Sequence, residues 1–374
     1  MKRILFVALA TTLLAASCSK TEVINPEENQ IGFSTKMAKL TKASGDAADA
    51  DYAGIVNLQA QDFRLWAYAD FDDPYTTDSE LDKIYDKMEK LNIAYNKDTD
   101  KWAPALDYYW PGKDKALRFF AVSGEQSSLV SVAINRTTTG EGASAVTKVA
   151  PTVTISDYVV DHENPNIDLM IADFVHQDQD DVIGERDKGV VALSFRHALT
   201  KVEFLFKTNP TASDGAVYVQ SVTVDGLNTT STLVVDGEGA TLAEKFVWGT
   251  RSEQETFTDD YTLTGEGFPT SLLHINETVE KEPTDKTAML LDGGAKPFCT
   301  WLALPQNIEA KKVKIVYVIG TRQFERSFEL SNGNLKEWGV NQYVRYTVTL
   351  TPNKISFDSS VEDWSKTDLA EKEL

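Results

Sequence analysis

A chain of 374 residues has room for two domains, each with its own core, at about 100 to 200 residues apiece. Its 37 Lys and Arg against 57 Asp and Glu leave a net charge of −20, and with no basic block this excludes the dense cationic face that nucleic acid requires. The 42% of apolar residues excludes wholesale disorder, 21 Gly and 12 Pro are too few for a fibre, and two cysteines, Cys18 and Cys299, cannot build a disulfide framework or a cysteine zinc site.

In chain order the first element is a secretory signal over residues 1–17. Lys2 and Arg3 precede the apolar run Ile4 to Ala16, which is too short to span a bilayer and ends in small residues ahead of Cys18. The stretch Leu14-Ala15-Ala16-Ser17-Cys18 is similar to the bacterial lipobox, whose cysteine is acylated once the preceding peptide is removed. An ordinary secretory signal that happens to hold a cysteine is the competing reading. A lone thiol at the end of the apolar run has little other use, so Cys18 is the expected lipid anchor. Removing residues 1–17 takes Lys2 and Arg3 with it and leaves a mature charge of −22.

Residues 18–29 read as a polar tether, with too little apolar area to offset the entropy of ordering. Ile31 and Phe33, two residues apart, fall on one face of a short strand. Lys36, Lys39 and Lys42 follow, and a run rich in Ala, Ser and Asp extends to Asp51 as an accessible linker.

Most of the remaining chain reads as strands. Phe63 to Tyr68, Leu117 to Val122 and Val153 to Ile155 are short, aromatic or β-branched, and bounded by turn residues. Val190 to Phe195, Leu199 to Phe206, Val217 to Val224, Val313 to Ile319, Phe324 to Leu330 and Tyr343 to Leu350 form a second set. One helix competes: Leu81, Ile84, Tyr85, Met88 and Leu91 make an apolar stripe behind an approximate capping box of Ser79 and Asp82. The polar stretch His176 to Gly189 lies between two strand-rich halves, which suggests domains over residues 30–185 and 186–374.

A search for chemistry is largely negative. His162, His176, His197 and His274 stand singly, without the spacing of a transition-metal site, and no phosphate loop or dinucleotide fingerprint appears. Asp178, Asp180, Asp181 and Glu185 miss the spacing of a calcium loop, with Gly184 in the wrong place, and read as a solvated acidic loop. Ser194 lacks the flanking glycines of a nucleophile elbow, and Cys299 sits in an apolar context that keeps a thiol inert. The expectation is a protein without catalytic residues, metal or cofactor. His197 beside Phe195 reads as structural, and Trp301, Trp338 and Trp364 as core aromatics rather than a glycan-stacking platform.

The order of motifs resembles the fimbrillin-like lipoproteins of Bacteroidetes, the FimA-like and Mfa-like subunits of type V pili. The resemblance rests on Trp301 to Asn307, Trp338 to Leu350, Asn353 to Phe357 and Val361 to Trp364 near the C-terminus. Upstream it includes Asp168 to Ala172, Leu193 to Val202, Tyr109-Trp110-Pro111, Ile31-Gly32-Phe33 and Thr41-Lys42-Ala43.

It implies a mainly β fold of two tandem transthyretin-like antiparallel β-sandwich domains, with a minor helix in the first. It also implies export as an outer-membrane lipoprotein precursor, a mature form at the cell surface or in a fimbria, and assembly with other fimbrillin subunits for adhesion to an unidentified host or bacterial receptor. In such subunits a trypsin-like protease cuts after an arginine to release a first strand. Here the corresponding positions are lysines, with Lys42 first and Lys39 and Lys36 as alternatives, and residues 30–42 are the removable segment. Ile31 and Phe33 would plug the groove before release. Ile355, Phe357 and Val361 are the candidate donor strand, although their pattern also suits the last strand of a second sandwich. A monomeric glycan-binding surface lipoprotein is the second expectation, and a secreted hydrolase a third, weaker one.

Cys18→Ala is expected to move the protein from the membrane to the soluble fraction of the producing cell. Immunoblotting of the two fractions reads this, and unchanged membrane attachment would refute the lipid anchor.

Overall fold

The computed structural model describes residues 29–37, 55–70, 88–112, 115–125, 129–139, 146–162, 167–179, 189–208, 217–237, 239, 241–260, 273–274, 289–291, 295–320, 322–331, 335–350 and 355–364. The chain opens with β1 (Gly32–Met37), α1 (Ile55–Gln61), β2 (Phe63–Asp70), β3 (Leu91–Asn96) and β4 (Lys101–Pro104). Next come β5 (Ala116–Ser123), β6 (Leu129–Thr139), β7 (Val146–Val159), β8 (Met170–Ala172), β9 (Val175–Gln177) and β10 (Val190–His197). Then follow β11 (Thr200–Thr208), β12 (Val217–Asp236), α2 (Leu242–Lys245), β13 (Phe246–Trp248), β14 (Ser252–Asp260), β15 (Leu273–His274) and β16 (Met289–Leu291). The last elements are β17 (Lys296–Ala303), β18 (Gln306–Asn307), β19 (Lys312–Ile319), β20 (Arg322–Glu329), β21 (Glu337–Trp338), β22 (Gln342–Leu350) and β23 (Ile355–Asp363).

The fold is mainly β, as the sequence suggests, but its first sheet is a closed ring rather than one layer of a sandwich. Its strands run in the order β2-β3-β4-β1-β10-β8-β5, the β2–β5 pairing closes the circle, and β9 hangs from β5. Alternation explains how the ring fills. On β10 every second residue, Val191, Leu193, Phe195 and His197, is buried. Ile31, Phe33, Phe63, Leu65, Trp102, Leu117, Phe119, Val191, Leu193 and Phe195 share one core with Leu58 of α1.

The alternate residues of β2 and β5 serve a second core. Trp66, Tyr68, Phe120 and Val122 face away from the ring interior and join Phe204, Trp301, Tyr346 and Phe257 in a separate cluster. Two sheets enclose that cluster, one in the order β17-β11-β22-β23 and the other running β15-β20-β19-β12-β7-β6. The 20-residue β12 changes partner along its length, from β16 and β19 to β14 and then to β7 and β13.

Sheet membership does not follow chain order. β10, from beyond residue 185, completes the ring, whereas β6 and β7 join the second assembly by pairing with β12. Strand pairing therefore crosses the 185/186 position at which the sequence suggested a boundary. Within the polar stretch assigned there, His176 lies in β9 and Gln177 is buried, donating from Nε2 to the Val190 carbonyl at 3.0 Å.

The expected helix over residues 81–91 does not continue to its end. Lys90 has φ 53°, a left-handed conformation that stops a helix, and Leu91 instead opens β3. Leu81, Ile84 and Tyr85 lie outside the described residues, and Met88 is buried in the ring core.

Phe204 is fully buried between Trp301, at a centroid distance of 5.4 Å, and Tyr346 at 5.0 Å. Phe204→Ala is expected to cost about 3–5 kcal/mol. Urea unfolding followed by tryptophan fluorescence reads that loss.

Candidate functional site

β1 is the strand of the ring with the most unequal flanks. It pairs with β10 in parallel over six positions, from Gly32 opposite Val190 to Met37 opposite Phe195. Toward β4 it has a single antiparallel pair, Phe33 opposite Trp102. A parallel strand needs a long connection to its neighbour. Here more than 150 residues separate the two in sequence, so the ladder is a long-range closure of the ring.

A clamp at the start of β1 supplements the weak flank. The Ile31 N–H donates to the Tyr108 carbonyl at 2.8 Å, and the Trp110 N–H donates to the Asn29 carbonyl at 2.9 Å. Gln30 Nε2 donates to Asp107 Oδ1 at 2.7 Å, and the Gly32 N–H donates to the Gly189 carbonyl at 3.0 Å. Gly189, at φ +80°, is needed there, since a Cβ would lie 3.1 Å from Trp110 Nε1 and 3.2 Å from the Gln30 carbonyl oxygen. Trp110 Nε1 donates to the same Gly189 carbonyl at 3.2 Å. Residues 29–32 are thus held by the segment 107–110 on one side and by Gly189 on the other.

The side chains of β1, and of Ile31 just ahead of it, divide by alternation. Ile31, 2% exposed, and Phe33, 7% exposed, enter the ring core, where Phe33 meets Phe119 edge-on at 6.4 Å and Phe119 meets Trp110 at 5.8 Å. Burying two such side chains contributes roughly 1.5–3 kcal/mol apiece. Loss of β1 would open the ring between β4 and β10 and bare Trp102, Phe119, Val191, Leu193 and Phe195 along a slot. Of the residues singled out from sequence, Ile31 and Phe33 therefore come together in the core. Lys36 is exposed but stands in the ladder opposite Ser194, so cutting there first requires local opening, because extended, unpaired backbone is what proteases engage. Cys18, Lys39 and Lys42 lie outside the described residues.

Ile355, Phe357 and Val361 lie far from Ile31 and Phe33 in the topology, on the edge strand β23. That strand pairs with β22 over nine positions, from Ile355 opposite Leu350 to Asp363 opposite Gln342. Phe357 stacks on Phe328 at 5.1 Å and on Tyr346 at 5.2 Å, while Val361 is 45% exposed. In this state β23 is the last strand of its sheet. Trp364, just after it, is buried and stacks on His197 at 3.7 Å.

Two clusters of titratable groups have buried members. The His197 Nδ1 lies 2.5 Å from Asp168 Oδ2 in full burial, and Trp364 stacks on one face of the imidazole. Buried Glu203 accepts from the Tyr343 hydroxyl at 2.6 Å and from Arg345 Nε at 3.0 Å. Burial, reinforced by the Glu203 carboxylate, pushes the Tyr343 phenol far above its usual range. Trp301, Trp338 and Trp364 are buried, Trp338 donating from Nε1 to the Tyr346 hydroxyl at 3.0 Å, so none offers an open face to a sugar. Cys299 is buried, and among the described residues no group of three or more His, Cys, Asp or Glu is placed to hold a metal. The Asn29 and Tyr108–Trp110 clamp and the Gly189 turn escaped the sequence reading. Gly189 at the end of a polar stretch was a signal for a positive φ, but nothing local showed what it approaches.

A family model described as Fimbrillin-like matches residues 41–364, beginning just beyond β1. Among solved structures, the chain is similar to a fimbrial protein from Bacteroides vulgatus, at 18% identity and a TM-score of 0.50, over 90% of this chain and 99% of that one. It is also similar to a fimbrial assembly protein from Parabacteroides distasonis, at 12% identity and a TM-score of 0.37, over 89% and 98% of the two chains. No curated protein matches it.

Phe33→Ala removes a buried ring from the slot and is expected to weaken the seating of β1 by about 3 kcal/mol. Amide hydrogen exchange should then quicken in Gly32–Met37 while β22 keeps its protection. Unchanged exchange in β1 would show that Phe33 does not hold it.

Proposed function

This chain belongs to the fimbrillin-like family, and on that premise we propose that it is an exported cell-surface subunit that joins other fimbrillin subunits by exchanging a β-strand, in the service of adhesion. The observation that carries the reading is β1. It is a strand of one ring with six pairs on one flank and one on the other, it plugs a core with Ile31 and Phe33, and it precedes Lys39 and Lys42. Cutting after Lys42, or after Lys39 or Lys36, would free β1 and leave two unpaired strand edges around an apolar slot. An extended segment from a neighbouring subunit would then restore both the ladder and the core, the general logic of strand addition.

Cys18 would hold the precursor at the outer membrane until that cut separates it from the body of the subunit. Ile355, Phe357 and Val361 of β23 are the proposed donor. They form an edge strand already, and donation requires β23 to leave β22 and Trp364 to leave His197. The buried state of Trp301, Trp338 and Trp364 gives the glycan-binding alternative no support from these residues.

Trypsin treatment of the purified mature protein is expected to remove residues up to Lys42 and to be followed by multimers on light scattering and native gels. Lys36→Gln, Lys39→Gln and Lys42→Gln combined should block both. A protein that loses β1 and stays monomeric at high concentration would overturn the reading.

A further inference from the structure

The slot occupied by β1 has an inner row and an outer row, and the outer row is uneven. In the parallel ladder, Gly32, Ser34 and Lys36 lie beside Val190, Ala192 and Ser194 of β10, on the opposite side from Ile31 and Phe33. Two of the three β10 residues are small. The third, Val190, faces the glycine, and a Cβ built on Gly32 would stand 3.2 Å from Val190 Cγ2. Gly32 does not have the positive φ that would itself call for glycine, so space decides this position. Alanine or serine needs the valine methyl to give by a few tenths of an ångström. A β-branched residue adds γ atoms to a contact already tight and, stiff at χ1, has little freedom to turn them away.

We propose that Val190 is a gauge that selects the strand entering this slot, admitting segments in which Gly, Ala or Ser stands between two large apolar residues. The inference rests on the strand-exchange reading and adds the chemistry of the partner. β23 of a second copy meets the requirement. Ile355-Ser356-Phe357-Asp358-Ser359 aligns with Ile31-Gly32-Phe33-Ser34-Thr35, placing Ile and Phe inward and a serine against Val190. By contrast, Ile315-Val316-Tyr317 of β19 has the same apolar spacing with a valine at the gauge, and is excluded. Leu193-Ser194-Phe195 fits the pattern but is itself the slot wall. The occupant is a second copy of this chain presenting β23, the donor put forward above; Val190 excludes strands with a β-branched residue at the gauge, while Val130-Ser131-Val132 of β6 would pass it and is not separated from β23 by this contact.

The test uses the full mature chain after trypsin has removed β1, titrated with three fluorescent peptides: residues 30–37, the same peptide with Gly32→Val, and residues 355–361. The first and third should bind, the Gly32→Val peptide should bind about tenfold more weakly or worse, and Val190→Ala in the protein should restore it. In the intact chain Gly32→Val should lower the thermal midpoint, with Val190→Ala recovering much of the loss. Equal binding of the native peptide and its Gly32→Val variant would overturn the gauge and leave the slot standing. Failure of even residues 30–37 to bind would overturn strand exchange and the gauge together.

Discussion

A ring of strands closes only when every neighbouring pair of edges is satisfied, and here the last pair depends on β1. The ladder between β1 and β10 joins residues far apart in the chain. With it in place the backbone groups of β10 are paired on both sides, by β1 and by β8, and the interior holding Phe63, Phe119 and Phe195 is shut from water. Without it, two polar edges and an apolar interior are exposed at once. That is a large unfavourable change concentrated in one short segment, and under the strand exchange proposed above it is what an incoming strand would relieve. Edge pairing supplies the backbone bonds, and alternate side chains supply the fit.

The remainder of the molecule is arranged so that this seam is local. β2 and β5 bury both faces, giving Phe63, Leu65, Leu117 and Phe119 to the ring and Trp66, Tyr68, Phe120 and Val122 to the second core. Polar ties lie on the same boundary. Asp173 receives the Arg196 guanidinium at 2.9 Å and the Lys245 ammonium at 3.3 Å, and the adjacent Phe174 stacks on Phe120 at 4.9 Å. None of these contacts uses β1. Among the described side chains, the second core, with Phe204, Trp301 and Tyr346, takes none from β1 either. Opening the slot therefore leaves the main packing between the two assemblies in place.

Much of this was legible locally and some was not. The short aromatic and β-branched runs Val190 to Phe195, Phe63 to Tyr68 and Tyr343 to Leu350 mark strands, and each is a strand in the structure. Ile31 and Phe33 are inward neighbours on one face because spacing by two dictates it. The stripe through Leu81 and Leu91 misled at its end, because helical spacing in side chains gives no warning that Lys90 takes a left-handed backbone. The ring was beyond reach for a different reason. A strand that alternates inside a sandwich reads the same as one that alternates inside a barrel, and no local pattern states that β2 pairs with β5 to close the circle.

The sequence by itself determined the β-rich composition of the elements, the inward face of β1 and the burial of the aromatics, since these depend on side-chain size, polarity and spacing along one strand. Tertiary structure alone decided that β1 lies parallel to β10, that β10 belongs with the strands before residue 185, and that Gly32 lies against Val190. Those are contacts between residues more than 150 positions apart. Their geometry arises from the simultaneous pairing of all the strands of the ring, and no segment read alone contains it.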